Sequence, residues 1–88
     1  MNILGYVVQY FDEDKFMPET GYKILHKHFS QALDSAKSRL QDYITNYQEG
    51  LVGHYELHTP TKKEADSNGY VVVFRNSQIQ IWIEVIIQ

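Results

Sequence analysis

No cysteine occurs in the chain, so disulfides, thiolate nucleophiles and cysteine-ligated metals are all excluded. A cysteine-free sequence fits a reducing compartment. No apolar run approaches the roughly 18–20 residues that a helical membrane span requires. Basic residues are few: eight Lys and Arg against eleven Asp and Glu leave a net charge of −3, and only Lys62 and Lys63 are adjacent. A nucleic-acid binder ordinarily gathers its cations into one footprint, and no such cluster is present. The five glycines form no phosphate-cradling loop. No serine has the glycine-flanked strand–turn–helix context of an activated nucleophile; Ser30, Ser35, Ser38, Ser67 and Ser77 read as cap, helix-surface or turn residues. These absences argue against an enzyme and imply no cofactor.

The first residues carry no basic segment ahead of an apolar core, so no signal peptide is expected. With an initiating Met and no tag-like tail, the chain is expected to be a complete small gene product, soluble and cytoplasmic. Its 88 residues make one domain, 1–88. A domain of this size buries only roughly 60–65% of the surface its unfolded chain exposes. A second subunit is a natural supplement to so small a core, since no disulfide is available.

The most informative stretch runs from Tyr70 to Gln88. Two runs, Tyr70–Arg75 and Gln78–Val85, flank Asn76-Ser77 and predict a β-hairpin with a two-residue loop. That loop sets Phe74 opposite Ile79, Val72 opposite Ile81 and Tyr70 opposite Ile83, all facing a core. The other face then carries Val71, Val73, Gln80, Trp82 and Glu84, between Arg75 and Gln78 at the turn. A mixed face with a large aromatic is where a partner is expected.

Upstream, 3–11 is rich in β-branched and aromatic residues and predicts a strand, with Leu4, Tyr6, Val8 and Tyr10 on one side and Ile3, Val7 and Phe11 on the other. A loop follows over 12–21, opening with the acidic run Asp12-Glu13-Asp14 and broken by Pro18 and Gly21. Alternation over 22–29 predicts a weak strand, although Leu25, Phe29 and Leu33 also allow an early helix start. Ser30 to Glu49 reads as a helix: Ser30 caps it, Leu33, Ala36, Leu40, Tyr43, Ile44 and Tyr47 form its apolar stripe, and Gly50 ends it. A short strand over 52–58 and a polar loop over 59–68, with one helical turn allowed at Thr59-Pro60, complete the chain. The expected fold is α+β: an antiparallel sheet of four or five strands, order β(β)αβββ, with one amphipathic helix on one face. The opposite face is left bare.

The histidines come as His26-x-His28 and His54-x-Glu56-x-His58. Residues two apart on a strand point the same way, so these five are candidate metal ligands, with Glu56 as ligand or base. The bland reading, solvent-facing positions on edge strands, is favoured, and no metal is expected. The first alternative function is a nucleic-acid binder that stacks bases on the aromatic face, with Lys23, Lys27 and Arg75 as cations; the last-ranked is a metal-dependent enzyme at the paired histidines. The favoured reading is a non-enzymatic protein-binding module or homodimer. Trp82, Val71, Val73 and Gln80 form its face, and Asp12, Glu13 and Asp14 form an acidic rim that steers approach.

In its overall make-up (short complete chain, mild acidity, no cysteine, sheet with a single helix) the protein resembles small phage-encoded early and anti-defence proteins, including anti-CRISPR proteins. The resemblance implies an inhibitor in the host cytoplasm that occupies a host protein's surface. It transfers no functional residue.

Overall fold

The computed structural model describes residues 2–13, 17–18 (backbone only), 24–46 and 53–88. Seven elements follow in order: β1 (Ile3–Asp12), β2 (Met17–Pro18), α1 (Phe29–Asn46), β3 (Glu56–Leu57), α2 (Lys62–Asn68), β4 (Tyr70–Arg75) and β5 (Ile79–Ile87). The strands form one antiparallel sheet in the order β2-β1-β5-β4-β3. The fold is α+β, with the terminal hairpin β4–β5 joined to the first strand. β5 lies at the centre, paired along its length with β1, from Ile3 opposite Ile87 to Asp12 opposite Ile79.

Both helices pack on the same face. From α1, Phe29, Ala32, Ala36, Leu40 and Tyr43 are buried, at steps of three and four. The two alanines, fully covered, let the helix lie close to the sheet. Beneath it are Tyr6, Val73, Phe74, Ile79, Ile81 and Ile83, with Val8, Tyr10 and Val85 partly buried at the margin. The Tyr6 ring meets Phe29 edge-on at 5.5 Å, and Tyr43 tilts over Phe74 at 6.2 Å. α1 begins one residue before Ser30, and its N-terminal cap differs from the expected hydroxyl: the Gln31 side-chain carbonyl accepts the His28 N–H at 3.3 Å. The expected helix end at Tyr47–Gly50 lies outside the described residues, as does the start of the expected strand at Val52.

Two elements differ from expectation. The polar segment after Pro60 is a second helix rather than a loop. Thr61 caps it by accepting the Glu64 N–H at 3.2 Å, and Glu64 Oε1 accepts the Thr61 N–H at 3.2 Å in return. Gly69, at φ 84°, closes α2 in the left-handed conformation and donates to the Ala65 carbonyl at 2.8 Å. The segment expected as a strand over 22–29 contributes a single bridge among its described residues: His26 and Tyr6 exchange both backbone hydrogen bonds at 2.8 Å. Gly5 is required there, because a Cβ would lie 2.5 Å from the His26 carbonyl oxygen.

The hairpin forms, in another register. Asn76 and Ile79 close the turn (N–H to carbonyl, 3.1 Å), so the two-residue loop is Ser77-Gln78 rather than Asn76-Ser77. The Asn76 carboxamide oxygen fixes it by accepting the Gln78 and Ile79 N–H groups, both at 2.8 Å. Phe74 therefore faces Ile81, not Ile79. A β-bulge between Val72 and Phe74 then shifts the pairing by one, to Val72–Trp82, Val71–Ile83 and Tyr70–Glu84. A two-residue slip preserves the faces; a one-residue bulge exchanges them. Val71 and Val73 consequently enter the core, at 6% and 1% exposure, while Tyr70 turns outward at 52%. The expected pairs Val72–Ile81 and Tyr70–Ile83 do not occur.

Candidate functional site

The helix-free face of the sheet is a grid of three rows across β1, β5 and β4. Its rows are Phe11–Gln80–Arg75, Gln9–Trp82–Val72 and Val7–Glu84–Tyr70. Trp82 stands at the centre, half-buried by its neighbours, and lies across the sheet from the helices, as the neighbouring Ile81 and Ile83 point beneath them. Among the described residues no helix or strand packs over this face. At about 4.8 Å between strands and 6.8 Å between rows, the grid covers roughly 300 Å² in projection. Fewer than half of its nine residues, Val7, Phe11, Val72 and Trp82, are apolar, so the face is mixed rather than a continuous apolar patch.

Two hydrogen-bonded pairs order polar groups on and beside the grid. Gln9 donates its amide to the Glu84 carboxylate at 3.0 Å, which braces the first strand to the central one beside the indole. Arg75 donates from Nε and Nη2 to one oxygen of Glu56, at 3.1 and 2.7 Å, across the edge pair β4–β3. That hydrogen bond, then the charge of Arg75, holds the Glu56 carboxyl below its ordinary range. The result is an apolar strip of Phe11, Trp82, Val72 and Val7, interleaved with amides and carrying one carboxylate at one end.

Of the residues expected to form the binding face, Trp82 and Gln80 are on it. Val71 and Val73 are not: the bulge places them under the helices, and Val72 takes the outward position. The acidic rim is also corrected. Asp12 points to the core side at the end of β1 and is only 5% exposed, so it cannot steer a partner. Glu13 is exposed, with its backbone N–H donated to the Gln78 carbonyl at 2.8 Å. Asp14 lies outside the described residues. Val7, Gln9 and Phe11 join the face through the pairing of β1 with β5, a contact between the two ends of the sequence that no local pattern encodes.

The histidine constellation does not assemble. His26 pairs with β1 at one side of the sheet, whereas His58 donates its backbone N–H to the Val73 carbonyl beyond β4 at the other. Three strands intervene, and four strand spacings amount to roughly 19 Å. His28 and His54 are exposed, and Glu56 is engaged by Arg75. Among the described residues, no group of three or more His, Asp or Glu side chains could hold a metal ion. The cations needed to bind nucleic acid on the aromatic face are likewise dispersed. Arg75 is paired with Glu56, Lys27 lines a cleft on the helix side with Ile3, Tyr6 and Lys62, and Lys23 lies outside the described residues.

A second polar cluster sits on the helix side. The Tyr6 hydroxyl donates to Asp66 at 2.8 Å, and Lys62 reaches the other carboxylate oxygen one turn away on α2. Burial, then the hydrogen bond to Asp66, pushes the Tyr6 hydroxyl above its ordinary pKa. Asp66 is held low, first by the Lys62 hydrogen bond, against a partial opposing effect of burial. This cluster clamps α2 to β1, and all its polar members are mutually satisfied.

No helix among the described residues is long and apolar enough to cross a membrane. Compared with known proteins, the chain matches no family model, no curated protein and no solved structure.

Proposed function

We propose that this protein is a non-enzymatic protein-binding module that works through the helix-free face of its sheet. The observation that carries the reading is Trp82 at the centre of that face, ringed by Phe11, Val72 and Val7 with no described element over it. Tryptophan is the residue most suited to anchor an interface, since it removes a large area from water while losing few rotors. Gln9, Gln80 and Glu84 supply the polar frame, and the Gln9–Glu84 hydrogen bond holds that frame in place before binding.

Trp82→Ala tests this. The indole stands directly across from Gln9 and Val72, pairs worth about 0.2–1 kcal/mol each, and lies on the face away from the core, so the variant is expected to fold. It is expected to keep cooperative unfolding and to lose the complexes that the native chain forms with protein, itself included, measured by sedimentation velocity and affinity capture against the parent. An unfolded variant, or complexes undiminished by the change, would sink the reading.

A further inference from the structure

We infer that the occupant of this face is a second copy of the same chain, docked in one particular symmetric arrangement. The inference rests on the binding role of the face proposed above and names its partner. Two sheets that pack face to face as a dimer are related by a two-fold axis lying between them, and a C2 interface must be complementary to itself. With β5 laid over its symmetry mate, two limiting axes exist. An axis along the strands sets each row against the same row of the partner. Glu84 then meets Glu84, like charges in a site losing its water, which is costly. An axis across the strands, through Trp82, reverses the row order. Glu84 then meets Gln80 of the second copy, Phe11 meets Val7, and the two indoles meet at the centre. Only this arrangement gives each carboxylate an amide donor and each apolar residue an apolar neighbour.

The grid suits such a pair because the asymmetry along its central strand, Glu84 at one end of β5 and Gln80 at the other, becomes complementary on reversal, and Arg75 beside Gln80 is brought near the same carboxylate. Indole pairs in offset contact are favourable in themselves. The size of the patch sets the strength. Roughly 300 Å² per copy in projection is well below the roughly 800 Å² per partner of a standard interface, so the pair is expected to be weak and reversible.

The experiment is sedimentation equilibrium on the full chain and on Gln80→Lys, Gln80→Glu and Trp82→Ala, with emission of the single Trp followed on dilution. A reversible dimer is expected, its indole emission shifting to the red as it dissociates. Gln80→Lys, which sets an ammonium over the partner's Glu84 twice per dimer, is expected to tighten association about tenfold, less in high salt. Gln80→Glu is expected to weaken it about tenfold, and Trp82→Ala to abolish it. A monomer at every concentration overturns self-pairing but leaves the binding role of the face standing. A dimer that needs Trp82 but ignores both Gln80 changes overturns the arrangement. A dimer indifferent to all three variants uses another surface and overturns both proposals.

Discussion

The phase of β4 decides which side chains line the helix-free face, and two isosteric substitutions test it. Val73→Thr and Val72→Thr replace one methyl by a hydroxyl, with nearly the same shape and a similar preference for strands. Val73 is 1% exposed and sits in the core beside Phe74 and Ile81. A hydroxyl there loses water without gaining a partner, at a cost of about 1–3 kcal/mol. Val72 is half-buried on the opposite face, where a hydroxyl keeps access to solvent. Its replacement is expected to change stability by less than about 0.5 kcal/mol. A domain of this length has a total stability of roughly 4–13 kcal/mol, so the two outcomes separate clearly. Urea unfolding followed by circular dichroism is the assay, run at low protein concentration; a lowered midpoint at unchanged slope marks a real stability loss. The simple two-residue hairpin read from the sequence demands the reverse order, with Val72 the costly position. If Val72→Thr proves the more damaging, the bulge is wrong, and so is the composition of the candidate face.

Three other outcomes follow from contacts already described. Thr61→Ala removes the hydroxyl that accepts the Glu64 N–H and is expected to cost about 1 kcal/mol, with faster amide exchange confined first to 62–68. Asp66, held below its ordinary pKa chiefly by Lys62, stabilises the fold above the ordinary carboxylate range; that contribution disappears as the pH falls through its lowered folded value. Between about pH 5 and pH 2 the parent is therefore expected to lose stability more steeply than Asp66→Asn, in parallel urea titrations. An equal slope would remove the clamp from the account. Arg75→Gln is expected to let the Glu56 carboxyl rise toward its ordinary pKa, read by its carbon chemical shift against pH.

Much of the scaffold was legible in the chain because its strongest patterns are local. The stripe through Ala36, Leu40 and Tyr43 repeats at helical spacing, and the alternation Ile79-x-Ile81-x-Ile83 can be satisfied only by a strand with one face buried. β4 lacks that property. In Val71-Val72-Val73-Phe74 both parities are apolar, so alternation does not choose between them, and the outcome is set by where Asn76 places the turn and where the ladder absorbs one extra residue. α2 went unread for the opposite reason. It buries only Ala65, so it has no stripe, and its one signature is the spacing Thr61-x-x-Glu64. The candidate face was half legible: Trp82 and Gln80 follow from the period of β5, whereas Val7, Gln9 and Phe11 depend on a pairing across almost the whole chain.

The far border of the sheet bears on how far assembly can go. β3 is only two residues long, and the chain then reaches the buried Pro60, which has no N–H to offer, before entering α2. An incoming strand on that side finds a stub of main chain instead of a template, a device that natural sheets use against open-ended polymerisation. Association through the broad flat side, as proposed above, would instead close on itself after one partner.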